Sequence, residues 1–213
     1  ADKDFLDLIR ITCDFCSVIY STHKHTPEKP KYRWILPLQR GVSPEEYEAI
    51  ARRIASTIGM EYFDDTTYQP ARMMFWPSTS MDGEYICEQL GDRNAYLNPD
   101  EILAQYRDWH DISYWPRSNR ETELHHSDIR HQEDPLSKSG WIGAFCRAYT
   151  IQEAIAAFIQ EEYTPTEDPN RWTYTNGSTA GGLVIYDDKY AYSNHNTDPT
   201  GQQLCNAYDL VRI

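Results

Sequence analysis

The spacing of apolar residues in the first half of the chain predicts alternating helices and strands. Apolar residues three or four positions apart are typical of a helix that buries one face, and short aromatic or β-branched runs are typical of strands. The predicted helices cover 4–12, the stretch from Pro44 to near Gly59, and a stretch that starts at Pro99 and includes Trp109. The predicted strands cover 15–20, 32–38, 72–77 and 84–88. We therefore expect an α+β domain with a mainly antiparallel sheet.

The helix from Pro44 has the strongest local signals. Ser43 stands at the position of an N-cap, Pro44 at the first helical position, and Glu45 and Glu46 in the first turn. A serine side chain accepts from backbone N–H groups at a helix start, proline has no N–H to lose there, and acidic side chains favour the positive end of the helix dipole.

The last third of the chain predicts a second, smaller module. The stretch from Gly140 to Tyr149 predicts a short helix, and Thr150 with Glu153 has the pattern of a capping box at the start of another. Strand-like runs follow at 172–175, 183–186 and 189–192. The predicted organisation is therefore a domain at 1–110, a polar linker at 111–138, and a helix pair with a β-meander at 139–213. His125 and His126 in this linker are expected to be solvated rather than metal-bound.

Composition indicates a globular protein of the cytoplasm. The 213 residues contain no apolar run approaching the ~18 residues of a membrane span, and no charged-then-apolar leader. The five irregularly spaced cysteines argue against a disulfide framework and favour a reducing compartment. Cys13 and Cys16 are predicted to be buried or half-buried thiols. Both chain ends resemble interior sequence, so a fragment of a longer protein is expected.

Positive charge is concentrated in one hairpin although the net charge is −13. The excess of acid lowers the expectation of avid, non-specific binding to duplex DNA. A local basic surface on an acidic body can nevertheless hold phosphate. The basic residues between positions 24 and 40, set against one acid at Glu28, are Lys24, Lys29, Lys31, Arg33 and Arg40.

Three groups of polar residues at predicted strand ends or turns could carry chemistry. Carboxylates in such places bind Mg²⁺ or Mn²⁺, and histidine or arginine beside them binds phosphate, a combination suited to phosphoryl or nucleotidyl transfer. A solvated histidine and a simple aspartate turn remain alternatives for each group taken alone. The groups are Ser21 with His23, Asp64 and Asp65 ahead of Arg72, and Asp2 with Asp4.

Two longer stretches carry a resemblance to a known family, and the similarity runs over most of the chain, including Trp141 to Tyr149 and Gly177 to Ile213. The stretch from Tyr20 to Pro30, followed by a strand, and the stretch from Phe63 to Ser78 are similar to the primase-polymerase domains of phage primase-helicases. These domains belong to the archaeo-eukaryotic primase superfamily, here in a virulence-associated-E-like form. The resemblance implies an RNA-recognition-like core and template-directed nucleotidyl transfer on single-stranded DNA with Mg²⁺ or Mn²⁺. It also implies nucleoside triphosphates as substrates and a helicase domain in the same parent chain.

The resemblance also implies roles for individual residues. Ser21 and His23 match a Ser-x-His motif that contacts the phosphates of the incoming nucleotide, and Asp64 matches a metal ligand. Arg72 stands where the family has a phosphate-binding arginine. Residues expected to assist are Asp65 in catalysis and the basic side chains of the hairpin in nucleotide binding, Lys24, Lys31 and Arg33.

The first motif of the family departs from the expected pattern. It is an Asp-x-Asp at the end of an apolar strand, and nothing apolar precedes Asp2 and Asp4 here. These two aspartates are candidate metal ligands, but the fragment is expected to lack the N-terminal strand and to be catalytically incomplete. The tail has the layout of a primase zinc ribbon without its cysteine pairs, with His195 and Cys205 left, so a metal-free β-module is predicted.

Two other functions fit parts of the sequence. A non-catalytic template- or origin-binding module would bind single strands without metal-dependent synthesis. A nicking endonuclease would bind one metal ion with His23 and His25 and would use a tyrosine as its nucleophile. Lys24 between the two histidines argues against this function, because it puts a cation beside the metal. Among the aromatic residues, Tyr68, Trp34 and Trp76 could stack on bases, and core packing is the preferred interpretation for Trp76.

Overall fold

Two units divide the chain in the computed structural model, which describes residues 4–121, 129, 132–195 and 197–213. The first unit is Ala1–Tyr106 with Pro116–Ser118, and the second is Arg107–Trp115 with Asn119–Ile213. Each unit contains its own antiparallel sheet and helices, so the α+β prediction is confirmed. Among the helices in the described ranges, none has the length and hydropathy needed to cross a membrane.

A three-stranded sheet forms the centre of the first unit. Strand β1, Ser17–Ser21, lies between β2, Tyr32–Ile35, and β3, Cys87–Leu90, and both pairings are antiparallel. Ile19 in the middle of β1 is fully buried and pairs with Trp34 on one side and Glu88 on the other. The polar residues that follow β1 are thereby fixed to the central strand of the unit.

Three helices accompany this sheet. Helix α1, Phe5–Thr12, supplies Phe5, Leu6 and Ile9 to a core cluster that includes Ile19. Helix α2, Pro44–Ile58, begins as predicted, with the Ser43 side chain accepting from Glu46 N and the Glu46 carboxylate accepting from Ser43 N. Helix α3 is Pro99–Leu103.

Three predicted elements differ from the structure. The run at 72–77 is not a strand: it is irregular and exposed, and Pro77 at its end and Pro70 shortly before it lack the N–H groups that a sheet ladder needs. The predicted strand at 84–88 is shifted to β3. Helix α3 ends at Leu103 and does not reach Trp109, and Tyr106 instead lies in an irregular segment where its hydroxyl donates to Ala49 O at 2.7 Å.

The second unit is a helical layer on a β-meander, as predicted. Helices α4, Gly140–Ala148, and α5, Ile151–Phe158, precede the strands, and α6, Ala207–Arg212, follows them. Thr150 and Glu153 form the predicted capping box of α5. The strands are β4 Tyr163–Pro165, β5 Arg171–Tyr174, β6 Leu183–Tyr186, β7 Tyr190–Ser193 and β8 Leu204–Asn206, each antiparallel to the next.

The predicted linker begins with ordered residues of this second unit. Ala180 N donates to His110 O at 2.6 Å and Ile112 N donates to Ala180 O at 3.1 Å. Ile112 and Trp115 are buried. His125 and His126 lie outside the described residues.

His195 is part of the core of the second unit. It is 2% exposed, its Nε2 accepts from Tyr174 N at 3.3 Å, and its Nδ1 lies 2.9 Å from Thr179 Oγ1. Cys205 is also buried, and burial raises the pKa of its thiol to about 11. Both residues of the ribbon-like tail therefore have contacts within the meander.

The cysteine thiols follow the prediction. All five are free, Cys13 is buried and Cys16 is half-buried. The Cys13 Sγ lies 3.2 Å from Ser17 Oγ, and burial raises the pKa of this thiol. The Cys13-x-x-Cys16 spacing thus belongs to the packing of the chain as it enters β1.

Candidate functional site

A hydrogen-bonded hairpin turn, residues 22–31, connects β1 to β2 and carries the predicted histidine. Thr22 N donates to Lys31 O at 2.9 Å, and His25 N donates to Thr22 O at 2.9 Å. These bonds close the turn immediately after β1. His23 and Lys24 lie at its exposed side.

The two histidines of this turn have opposite environments. His25 is 4% exposed, its Nδ1 accepts from Lys31 N at 3.1 Å, and its ring packs on Tyr32 with 4.9 Å between centroids. His23 is exposed. His25 therefore holds the shape of the turn, and its buried, hydrogen-bonded ring argues against the nicking-endonuclease alternative, which needs both histidines on one metal.

Ser21 lies inside the fold rather than on the surface of the site. It is fully buried, its Oγ accepts from Ile86 N at 2.9 Å, and the same hydroxyl lies 3.4 Å from Glu84 O. It attaches the end of β1 to the segment that enters β3. A direct contact of Ser21 with phosphate stays a prediction that this arrangement does not favour.

An irregular segment, 69–78, crosses beside the end of β1. Phe75 O accepts from Tyr20 OH at 3.3 Å and from Arg33 Nη1 at 2.9 Å. Ser78 Oγ lies 3.5 Å from His23 Nδ1. This segment brings Arg72, which is distant in sequence, to the same end of the sheet as the hairpin.

A cavity of about 400 Å³ lies between this segment and β2. Arg33 and Arg72, both predicted to bind phosphate, contribute to its wall. Two arginines on one cavity favour an anion, because a guanidinium group offers several N–H donors in a fixed plane. The lining residues are Arg33, Gln69, Ala71, Arg72, Met73 and Phe75.

The predicted metal ligands at positions 64 and 65 accept hydrogen bonds from other residues of the chain. Asp64 Oδ1 accepts from Thr66 N at 3.0 Å and from Thr66 Oγ1 at 2.7 Å, as in an aspartate turn. Asp65 Oδ1 accepts from Ser118 Oγ at 2.7 Å. Asp4 precedes α1 at an exposed position, and Asp2 lies outside the described residues.

No cluster of three or more histidine, cysteine or acidic side chains suited to a metal ion occurs in the described ranges. The described carboxylates at 64 and 65 thus do not fit a metal site by themselves.

The sequence did not identify two residues of this region and predicted the wrong environment for a third. Gln69 and Phe75 line the cavity, and no local pattern indicated either of them because their place depends on how the segment crosses the sheet. Trp76 was expected to pack in the core, and this prediction is wrong: it is 90% exposed. Tyr68 is buried, and the Trp34 ring is half-buried beside Phe15.

Comparison with known proteins identifies the family. The family model described as VapE N-terminal domain matches residues 1–118, more than half of the chain. The chain belongs to the VapE N-terminal domain family. No curated protein and no solved structure matches it.

Membership in the VapE N-terminal domain family links the chain to VapE-like phage replication proteins, which confirms the resemblance at this coarser level. The VapE match includes β1, the hairpin and the arginine-lined cavity, and it ends at Ser118. The RNA-recognition-like arrangement of the core and the primase-polymerase activity stay predictions.

The contrast between His25 and His23 gives a paired prediction. Replacing His25 with leucine leaves Lys31 N–H without its acceptor, so we expect a loss of roughly 1–3 kcal/mol in the free energy of unfolding. His25→Asn keeps an acceptor oxygen and should recover part of this loss. His23→Leu, at an exposed position, should change stability by less than about 0.5 kcal/mol.

Denaturant unfolding of the three variants, with hydrogen exchange of the 22–32 amides, measures these effects. Equal stability of the His25→Leu and His23→Leu proteins would contradict the structural role of His25.

Proposed function

We propose that the chain is a DNA primase-polymerase domain, a nucleotidyltransferase that extends a strand on a single-stranded DNA template. The observation that supports this most is the pair of arginines, Arg33 and Arg72, on one cavity next to the turn that carries His23. Family membership among VapE-like replication proteins agrees with a task in phage DNA replication.

The two arginines are proposed to bind the triphosphate of the incoming nucleotide. Arginine pairs with phosphate through two parallel N–H···O bonds, which positions the group as well as binding it. A cavity of about 400 Å³ is within the range of small-ligand sites.

His23 is proposed to donate a hydrogen bond to the phosphates. Its exposed ring follows β1 directly, and Ser78 Oγ lies 3.5 Å from its Nδ1, which leaves Nε2 as the atom that can reach a substrate. Donors aimed at charge that develops in the transition state typically contribute a factor of about 10²–10³ in rate. Lys24 and Lys31 add positive potential that attracts the triphosphate or the template.

The reaction is proposed to require Mg²⁺ or Mn²⁺, as in nucleotidyl transfer generally. The described residues do not form a complete ligand set, because Asp64 and Asp65 are engaged in hydrogen bonds within the chain. Asp64 with Asp2 and Asp4 remain the proposed ligands, and we derive no step through the metal. A helicase domain in the parent chain and a cytoplasmic location are further parts of the proposal.

Incorporation of labelled nucleotides on a single-stranded template, with Mg²⁺ or Mn²⁺, tests this function. The assay uses this chain and the natural full-length protein, each with His23→Ala and Arg72→Gln. We expect incorporation that falls by about a hundredfold or more in both variants. Arg93→Gln is the matched control, since Arg93 donates to Gln89 on the exposed side of the unit, outside the cavity.

Two results would contradict the proposal. The first is template binding without synthesis by the natural protein, which would support the alternative of a template- or origin-binding module. The second is synthesis that His23→Ala leaves unchanged.

A further inference from the structure

Large apolar side chains are exposed along the segment beside the cavity. Five of them between positions 73 and 81 have exposed fractions from 55% to 104%, and Trp76 has 90%. Exposed apolar groups on this scale mark interaction surfaces in folded proteins. We refer to these five residues as the apolar strip: Met73, Met74, Phe75, Trp76 and Met81.

The backbone of the strip is anchored to the sheet while its side chains face outward. Phe75 O accepts hydrogen bonds from Tyr20 OH on β1 and from Arg33 Nη1 on β2. Further along, Gly83 N donates to Ser80 O at 3.0 Å. The backbone at Phe75 is therefore held by bonds to β1 and β2, and the exposed Trp76 follows it directly.

Charge around the strip is divided between its two ends. Arg33 lies over the Phe75 ring, with 5.9 Å between the guanidinium carbon and the ring centroid, and Arg72 precedes Met73. Asp82 and Glu84 follow the other end. A ligand that fits this pattern has flat apolar groups for the strip and anionic groups for the arginine end.

Single-stranded nucleic acid has this chemistry. Every base has a π-face that can stack on an aromatic side chain, and the phosphates pair with arginine. A duplex hides its base faces, and the net charge of −13 opposes binding that relies on the phosphate backbone alone.

We infer that the apolar strip is the surface on which bases of a single strand stack, with Trp76 as the principal contact and Arg33, which lies over the Phe75 ring, holding an adjacent phosphate. The identification of this single strand as the template for synthesis rests on the proposed function. The binding itself requires neither His23 nor a metal ion.

Fluorescence anisotropy with a short labelled single-stranded oligonucleotide, without metal, tests this inference. The variants are Trp76→Ala and Trp141→Ala, and the latter is a matched control because Trp141 is 86% exposed in the other unit. We expect Trp76→Ala to weaken binding roughly fivefold to a hundredfold, the range for loss of one stacked base. Trp141→Ala should bind like the unchanged protein.

A second probe, an abasic oligonucleotide of the same length, separates stacking from charge. Trp76→Ala should bind this probe as the unchanged protein does, whereas Arg33→Gln should weaken binding of both probes. A structural defect in Trp76→Ala would instead lower the affinity for both probes, and that result overturns the inference.

Unchanged oligonucleotide binding by Trp76→Ala also overturns it. The proposed function fails separately, through absence of synthesis while these binding differences persist.

Discussion

Replacing Gly91 with alanine is expected to destabilise the first unit by roughly 2–5 kcal/mol. Gly91 follows β3 with a φ of +69°, a backbone conformation that residues with a Cβ rarely adopt. A Cβ built there would overlap the carbonyl oxygen of Phe15 and lie 2.9 Å from Asp14 O. Backbone rather than a flexible side chain blocks the space, so the chain entering β1 has to move. Denaturant unfolding with hydrogen exchange of the β1 and β3 amides measures the effect.

Gly41→Ala is the control within the same unit. No atom lies within 4 Å of a Cβ at Gly41. We expect no loss of stability there, or a gain of up to about 1 kcal/mol, because alanine restricts the unfolded chain. Equal stability of the two variants would show that Gly91 does not lie against Phe15.

Replacing Gly182 with alanine is expected to destabilise the second unit by roughly 1–3 kcal/mol, the cost of overfilling a packed core. A Cβ at Gly182 would overlap Nε2 of His195 and lie 2.6 Å from its Cδ2. The ring cannot move away freely, since it bonds Tyr174 N and Thr179 Oγ1 in a buried position.

A double-mutant cycle tests this cause directly. His195→Ala alone is destabilising because it leaves Tyr174 N and Thr179 Oγ1 without the ring, but it also makes room for the added methyl group. The cost of Gly182→Ala should therefore nearly vanish in the His195→Ala background, a departure from additivity that neighbouring residues show. Hydrogen exchange of β5 to β7 measures each step, and additive losses would rule out the contact.

Helix α2 and the capping box of α5 were predictable because their signals are local. Each capping side chain bonds a backbone group within three residues of it, so the sequence pattern alone predicts the interaction. These side chains are Ser43, Glu46, Thr150 and Glu153. The β-meander was predictable for a related reason, since short alternating runs and turn residues define each hairpin.

The segment at 72–77 was not predictable because strand formation depends on a partner. A run of Met, Met, Phe and Trp has strand propensity, but propensity decides little without a neighbouring strand to pair with. The structure places Phe75 against Tyr20 and Arg33 through its carbonyl oxygen instead. The exposure of Trp76 follows from this non-local arrangement and has no local signal.

The candidate site was predicted in its residue types more than in its geometry. Arg33 and Arg72 were both assigned to phosphate, and the structure brings them to one cavity. The sequence does not indicate that Ser21 and His25 are buried. Their burial depends on non-local contacts, with Ile86 for Ser21 and with Tyr32 for His25.

Arg33 belongs both to the anchor of the apolar strip and to the wall of the cavity. A guanidinium has five N–H donors, so one can remain on Phe75 O while others reach an anion. An anion in the cavity and a phosphate of a strand on the strip would both use the remaining donors of Arg33. Such a shared residue makes the two affinities reciprocal: each ligand changes the binding of the other by the same factor. Occupancy of the cavity would thereby change the affinity of the protein for a single strand, without any movement of a domain.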